Sequence, residues 1–420
     1  MINLKAPAVV EREAVDRSVS ERVRSILDRV YRDGERALSE LNHQLDDYEG
    51  PILIREKTLN TALAQMDKNL RQAVEIAIDH VRSFHREQKA LFKEQEWEIS
   101  PGIRAGMRFL PVKSAGVYVP GGRYPLVSTA VMGVVPAQEA GVSRIVAFSP
   151  PRGSCGISKP ILGTLALLGV PEVLAVGGAQ GVGALARGLP GIPPVDLLVG
   201  PGNAYVTEAK RQLFGKVGID SLAGPSEVFI IADRTANPAV LAADLLAQAE
   251  HDPDARVSLY CLDQALAYQT LTQVDHLLSR LSTGKTALQA WSASGTVAVC
   301  TLEEAIATAN RTAPEHLELA VENPREVLKQ CTAYGAAFLG HQSAEAFGDY
   351  IAGTNHVLPT EGRARFSGGL WVGTFLRPLT HLDMSKDAAR NLSKPGECMA
   401  LAEGLHAHAL AMRLRGEADS

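Results

Sequence analysis

Apolar positions change their period twice along this chain. Over residues 8–48 they recur at helical spacing, most plainly in SVSERVRSILDRVYRDGERALSELNHQL, and predict a helical lead-in. A longer helix is expected from about Asp67 to Ala90, with Leu70, Val74, Ile78 and Val81 on one face. From Lys113 the pattern becomes short apolar runs ending at Gly, Pro or Ser. AGVYV (115–119), RIVAFS (144–149), EVLAVGG (172–178) and VDLLVG (195–200) read as strands. The stretches between them read as helices, and this alternation builds a parallel sheet covered on both faces.

EVFIIAD (227–233) is a further strand, followed by a helix over PAVLAADLLAQAEHD (238–252). A second α/β region follows, with strands at 256–262, 295–300 and 335–340 and a strand after Glu315-His316. The tail from about 380 to 420 is helical, with GECMALAEGLHAHALAMRLRG as one last element. No tandem repeat is visible.

Composition narrows the class. At 420 residues, 46% hydrophobic and 21% charged, the chain is expected to be a soluble globular protein of more than one domain. A net charge of -5 offers no basic field for nucleic acid. No apolar run is long enough for a membrane span, and MINLKAPAVVEREAVDR carries charges where a signal peptide needs apolar residues. Five scattered cysteines without a CxxC read as small buried hydrophobes and fit a cytoplasmic protein.

Open α/β sheets bind ligands beyond the C-terminal ends of their strands. There the chain places Pro120-Gly121-Gly122, Gly177-Gly178 and Gly200-Pro201-Gly202-Asn203. Gly181-Val-Gly183-Ala-Leu-Ala approximates a dinucleotide fingerprint, and either a phosphate loop or tight strand-to-helix packing explains it. Gln248 and His251 are three apart on a helix, so they either aim at one point or form a solvated helix end. Glu315-His316 after Pro314 is either a pair of general bases or an exposed pair. Asp349 and His356 flank the bend GDYIAGTNHVLP, and Glu403, His406 and His408 lie in the tail.

In order and spacing, several motifs match one family: GVYVPGGRYPLVSTAVM (116–132), VGGAQGVGALARG (176–188), VGPGNAYVTEAKR (199–211), APEHLEL (313–319), GDYIAGTNHVLPT (348–360) and AEGLHAH (402–408). The chain resembles the histidinol dehydrogenases over nearly its whole length. The resemblance implies two Rossmann-like, aldehyde-dehydrogenase-like α/β domains with a helical lead-in and a C-terminal helical tail. Its division would be an arm over 1–20, a first domain over 21–114 plus 229–378, a second over 115–228, and a dimerisation tail over 379–420.

It further implies one zinc per subunit, held by Gln248, His251, Asp349 and His408, the last supplied across a homodimer. Glu315 and His316 would do the proton work, and Ser226, His356 and Glu403 would join the metal ligands and His316 in contacting substrate. Tyr118, Gln180 and Asn203 would contact NAD. The implied reaction is the four-electron oxidation of L-histidinol through its aldehyde to L-histidine. The alternative is a related NAD- and zinc-dependent dehydrogenase of another small polyol, such as a sulfonated propanediol.

Overall fold

The computed structural model describes residues 1–7, 17–122 and 124–417. The part of the helical lead-in expected over residues 8–16, and position 123 in the glycine run, lie outside the described residues. Two compact units are present: one formed by 1–87 with 112–375, the other by 88–111 with 376–420.

The first unit holds two six-stranded sheets. One has strands in the order Ile2–Lys5, Thr296–Val299, Arg256–Cys261, Glu227–Ala232, His316–Ala320 and Ala336–Leu339. All pair in parallel except Ile2–Lys5 at the edge. The strand Glu227–Ala232 is buried along its whole length, which explains its unbroken apolar run. Successive side chains point to opposite faces. Val228, Ile230 and Ala232 therefore join a core with Leu241, Leu245 and Ala287, whereas Phe229 and Ile231 join Ile306, Ala309 and Leu317 on the other side.

The other sheet has the order Leu53–Ile54, Glu172–Ala175, Arg144–Ser149, Ser114–Tyr118, Leu197–Val199 and Gly218–Ile219. The helices Arg17–Asp33 and Glu35–Asp46 pack in this sheet's core: Val23, Leu27 and Val30 meet Phe148, Val182 and Leu185. This differs from the division read in the sequence, which joined 21–114 to 229–378. The pattern of a lead-in helix shows which face is apolar but not which sheet it covers.

Gly181 and Gly183 lie inside the helix Gly178–Arg187. A Cβ on Gly181 would stand 2.9 Å from Phe148 Cδ2, and one on Gly183 would stand 2.8 Å from Leu27 Cδ2. Of the two readings of this glycine pattern, close packing is therefore the one the contacts support.

The second unit contains a three-stranded antiparallel sheet, Leu376–Met384, Ile103–Pro111 and Gln95–Ser100, that the apolar pattern did not predict. All six residues of Gln95–Ser100 are exposed, so no buried face marks the strand in sequence. The expected single last helix is two, Lys386–Ala402 and His406–Glu417. Gly404 between them has φ 75°, a left-handed turn that glycine adopts without a Cβ clash. No helix among the described residues is long and apolar enough to cross a membrane.

Candidate active site

The site begins with a forced turn. Helix Leu302–Thr312 starts with a Thr301/Glu304 capping box and ends at Ala313, whose φ of 50° is rare for a residue with a Cβ. Pro314 cannot continue the helix. The chain reverses there and delivers Glu315 and His316 to the start of the strand His316–Ala320. Register places His316 beside Val228 in the neighbouring strand.

Both residues are buried, with Glu315 at 6% and His316 at 3% exposure, which removes the exposed-pair reading. His316 Nδ1 lies 3.0 Å from the carbonyl of Glu227. A carbonyl only accepts, so Nδ1 carries a proton, and in the neutral ring Nε2 is the nitrogen with the lone pair. Nε2 has no hydrogen-bond partner, and Oδ1 of Asp349 is 3.6 Å away. Burial disfavours the imidazolium, yet the carboxylates of Glu345, Glu315 and Asp349 outweigh it and lift His316 well above the ordinary histidine range. Burial pushes the Glu315 carboxyl up to about 8, against the pull of His316 and the backbone N–H of Glu227, which donates to Oε2 at 2.8 Å.

Helix Pro238–Ala249 begins with Asn237 accepting from the N–H of Ala239 and carries Gln248 in its last turn, fully buried. His251 lies two residues past the helix end. Glu250 turns away to accept from the hydroxyl of Thr283. Asp349, on the helix Glu345–Tyr350, sets Oδ2 3.9 Å from His251 Nε2. Burial opposes its ionisation, but His316, His356 and His251 outweigh this and lower its pKa. His356 donates from Nδ1 to the carbonyl of Asp349 at 2.8 Å and has Thr129 Oγ1 3.2 Å from Nε2.

Sequence reasoning missed Glu345. Its carboxylate, His251 and Asp349 each offer a donor atom within 4.8 Å of the others. Nitrogen and carboxylate oxygen at this spacing suit a borderline cation such as zinc. The available signal was the interval of four between Glu345 and Asp349, one helical turn. Asp244 and the buried Glu318 neighbour each other near these groups, and burial chiefly raises both carboxyls. The carbonyl of Glu227 carried no sequence signal, since any residue supplies one.

Ser226 directly precedes the strand Glu227–Ala232, and its carbonyl accepts from the N–H of Arg256. Ser226, Glu315 and His316 thus lie at the N-terminal edge of their sheet. In the other sheet Tyr118 and the glycine turns lie at the C-terminal edge. Thr129 and His356, together with Asn355 Nδ2 donating to the Met132 carbonyl at 2.8 Å, tie the segment after Asp349 to the helix Val127–Ala140.

Tyr118 is buried, and burial pushes its hydroxyl up to about 12 against a hydrogen bond from the backbone of Gly178. Gln180 is also buried. Asn203 caps the helix Ala204–Leu213, accepting from the N–H groups of Tyr205 and Val206 at 3.1 and 3.2 Å. Gly200 has φ 115°, and a Cβ there would stand 2.3 Å from the Tyr118 carbonyl, so only glycine fits. Glu403 and His408 are exposed on the second unit.

Two mostly parallel sheets, with a buried imidazole among carboxylates and N/O donors spaced so that they could hold a cation, are the architecture of an α/β enzyme. The histidinol dehydrogenase family model matches residues 10–416. Histidinol dehydrogenase of Thermus thermophilus is 44% identical over 402 residues, covering 95% of each chain. Sulfopropanediol 3-dehydrogenase of Ruegeria pomeroyi is 38% identical over 98% of this chain and 95% of that one. The crystal structure of histidinol dehydrogenase from Elizabethkingia anophelis matches with a TM-score of 0.92 at 36% identity, over 98% and 94% of the two chains. The chain belongs to the histidinol dehydrogenase family and is an oxidoreductase.

Proposed function

We propose that the protein is a zinc-dependent histidinol dehydrogenase, acting in the cytoplasm in histidine biosynthesis, that oxidises L-histidinol to L-histidine with two NAD per turnover. The observation that carries this reading is Asp349, whose two carboxylate oxygens face His251 and His316 at 3.9 and 3.6 Å. One carboxylate thereby joins the cation-holding cluster to the base.

Gln248, His251 and Asp349 would hold the zinc with His408 of the partner subunit in a homodimer. When bound, zinc supplies a Lewis-acid anchor for the substrate's nitrogens, and NAD accepts hydride. His316 Nε2 takes the alcohol proton as the carbon loses a hydride, which carries both electrons, giving the aldehyde. Glu315 takes a proton from water as that oxygen adds to the aldehyde carbon. The hydrated aldehyde then loses a second hydride, and release of its two hydroxyl protons, to His316 or Glu315 and on to solvent, leaves the carboxylate. Ser226, His356 and Glu403 hold the substrate, with Glu403 suited to its ammonium group. Tyr118, Gln180 and Asn203 contact the cofactor at the glycine-lined edge.

The test is NADH formed per histidinol, with zinc content measured on the same sample. The reading expects about two NADH per substrate and about one zinc per chain, with activity lost on chelation. Full activity without metal, or turnover of a sulfonated propanediol in place of histidinol, overturns it.

A further inference from the structure

We infer that Glu345 is a positioning residue for the metal site, holding the amide of Gln248 so that its oxygen faces the cation. This rests on the reading of Gln248 as a ligand. An amide binds a metal through oxygen, because its nitrogen has no lone pair to give. A glutamine therefore serves only if its two ends are kept from exchanging. Gln248 is fully buried, so protein groups rather than water decide its orientation.

One end of the amide faces Glu345, with Oε1 at 2.7 Å and Oε2 at 2.9 Å. With Glu345 ionised, as beside a bound cation, amide oxygen at that end would set three oxygens together without a proton between them. Amide nitrogen there donates to both carboxylate oxygens instead. The third neighbour of that end, His316 Nδ1 at 3.0 Å, donates its own proton to the Glu227 carbonyl and so does not compete for the amide protons. With nitrogen committed to Glu345, the oxygen points away from it.

Glu345 is held to this task. It is 2% exposed, and it shares a short helix with Asp349, one turn apart. A single element thus carries a metal ligand and the group that orients another. Partners of this kind, once removed, lower metal affinity by about 10–100-fold. Glu345 is also near enough to His251 and Asp349 to act as a ligand itself. The two roles differ in one respect: a positioning residue acts only through Gln248.

The experiment is a double-mutant cycle read as zinc affinity, by competition with a chromogenic chelator, on the full-length enzyme. Glu345→Met is expected to weaken zinc binding by about 10–100-fold. In a Gln248→Ala background the same change is expected to add less than about threefold. Unchanged affinity in Glu345→Met overturns the inference. A further tenfold loss in the Gln248→Ala background, the mark of a direct ligand, overturns it too. If Glu345→Met does not fold, as judged by its thermal midpoint, Glu345→Gln, which keeps one acceptor, takes its place in the cycle, with a smaller loss of zinc affinity expected and again none added in the Gln248→Ala background. Wild-type enzyme that takes up no zinc rejects the metal reading as a whole, whereas failure of the cycle with zinc bound rejects this inference alone.

Discussion

Nε2 of His316 stands 3.6 Å from Oδ1 of Asp349, too far for a hydrogen bond and close enough for each to set the other's charge. Buried among carboxylates, the imidazole holds its proton strongly while Asp349 is free to face it. In the proposed mechanism a cation drawing on Asp349 would weaken that hold and favour the neutral imidazole as the base.

In the proposed mechanism the roles of Glu315 and His316 separate by step. Glu315→Gln is expected to slow oxidation of the aldehyde by about 10²–10⁴ and to affect alcohol oxidation much less. Single-turnover NADH formation, started from histidinol and separately from the aldehyde, measures both. Equal losses would remove the division of roles.

Subunit sharing has its own readout. His408→Asn and Glu315→Gln are each expected to inactivate a homodimer. If His408 completes the partner's site, mixing the two after subunit exchange restores activity in the hybrids, one of whose sites is intact. No recovery with exchange demonstrated by mass spectrometry counts against sharing.

A buried clamp shapes the glycine turn at 200. The Lys210 ammonium contacts the Asp220 carboxylate and donates to the Gly200 carbonyl at 3.0 Å, while the N–H of Gly200 donates to Asp220 at 2.8 Å. Lys210→Met leaves Asp220 buried without its cation and is expected to cost about 3–5 kcal/mol. In the surviving folded enzyme, KM for NAD should rise more than KM for histidinol. Thermal unfolding and steady-state kinetics measure the two effects.

Asp46 supplies a pH signature away from the metal ligands. Burial pushes its carboxyl up to about 6 from the ordinary 3.8, and its Oδ2 is buried without a partner. The folded state therefore holds the proton more tightly than the unfolded chain. The penalty for ionising Asp46 is absent below pH 3.8, grows as pH rises through about 6, and is constant above. Asp46→Asn is expected to raise the thermal midpoint at pH 7–8 by a few degrees, with the gain shrinking to nothing near pH 4. A gain independent of pH would refute the assignment.

Much of this protein was legible before any fold was known. Apolar runs such as RIVAFS and EVFIIA became buried parallel strands, because a strand covered on both faces must be apolar throughout. Candidate donors were legible as residue types: an imidazole or carboxylate has the same chemistry wherever the chain runs. Local signals failed where burial was absent or where contact was remote. The exposed strand Gln95–Ser100 left no apolar trace, and the helices before residue 50 did not announce which sheet they would cover.

Tertiary structure alone decided how the donors combine. Asp349 reaches His251 and His316 from 98 and 33 residues away because a strand start, a helix end and a short helix converge at one sheet edge. It also decided that His316 carries its proton on Nδ1, through a backbone carbonyl 89 residues distant in sequence. Side-chain chemistry is written residue by residue, whereas distance and burial, which set charge and direction, exist only once the chain has packed.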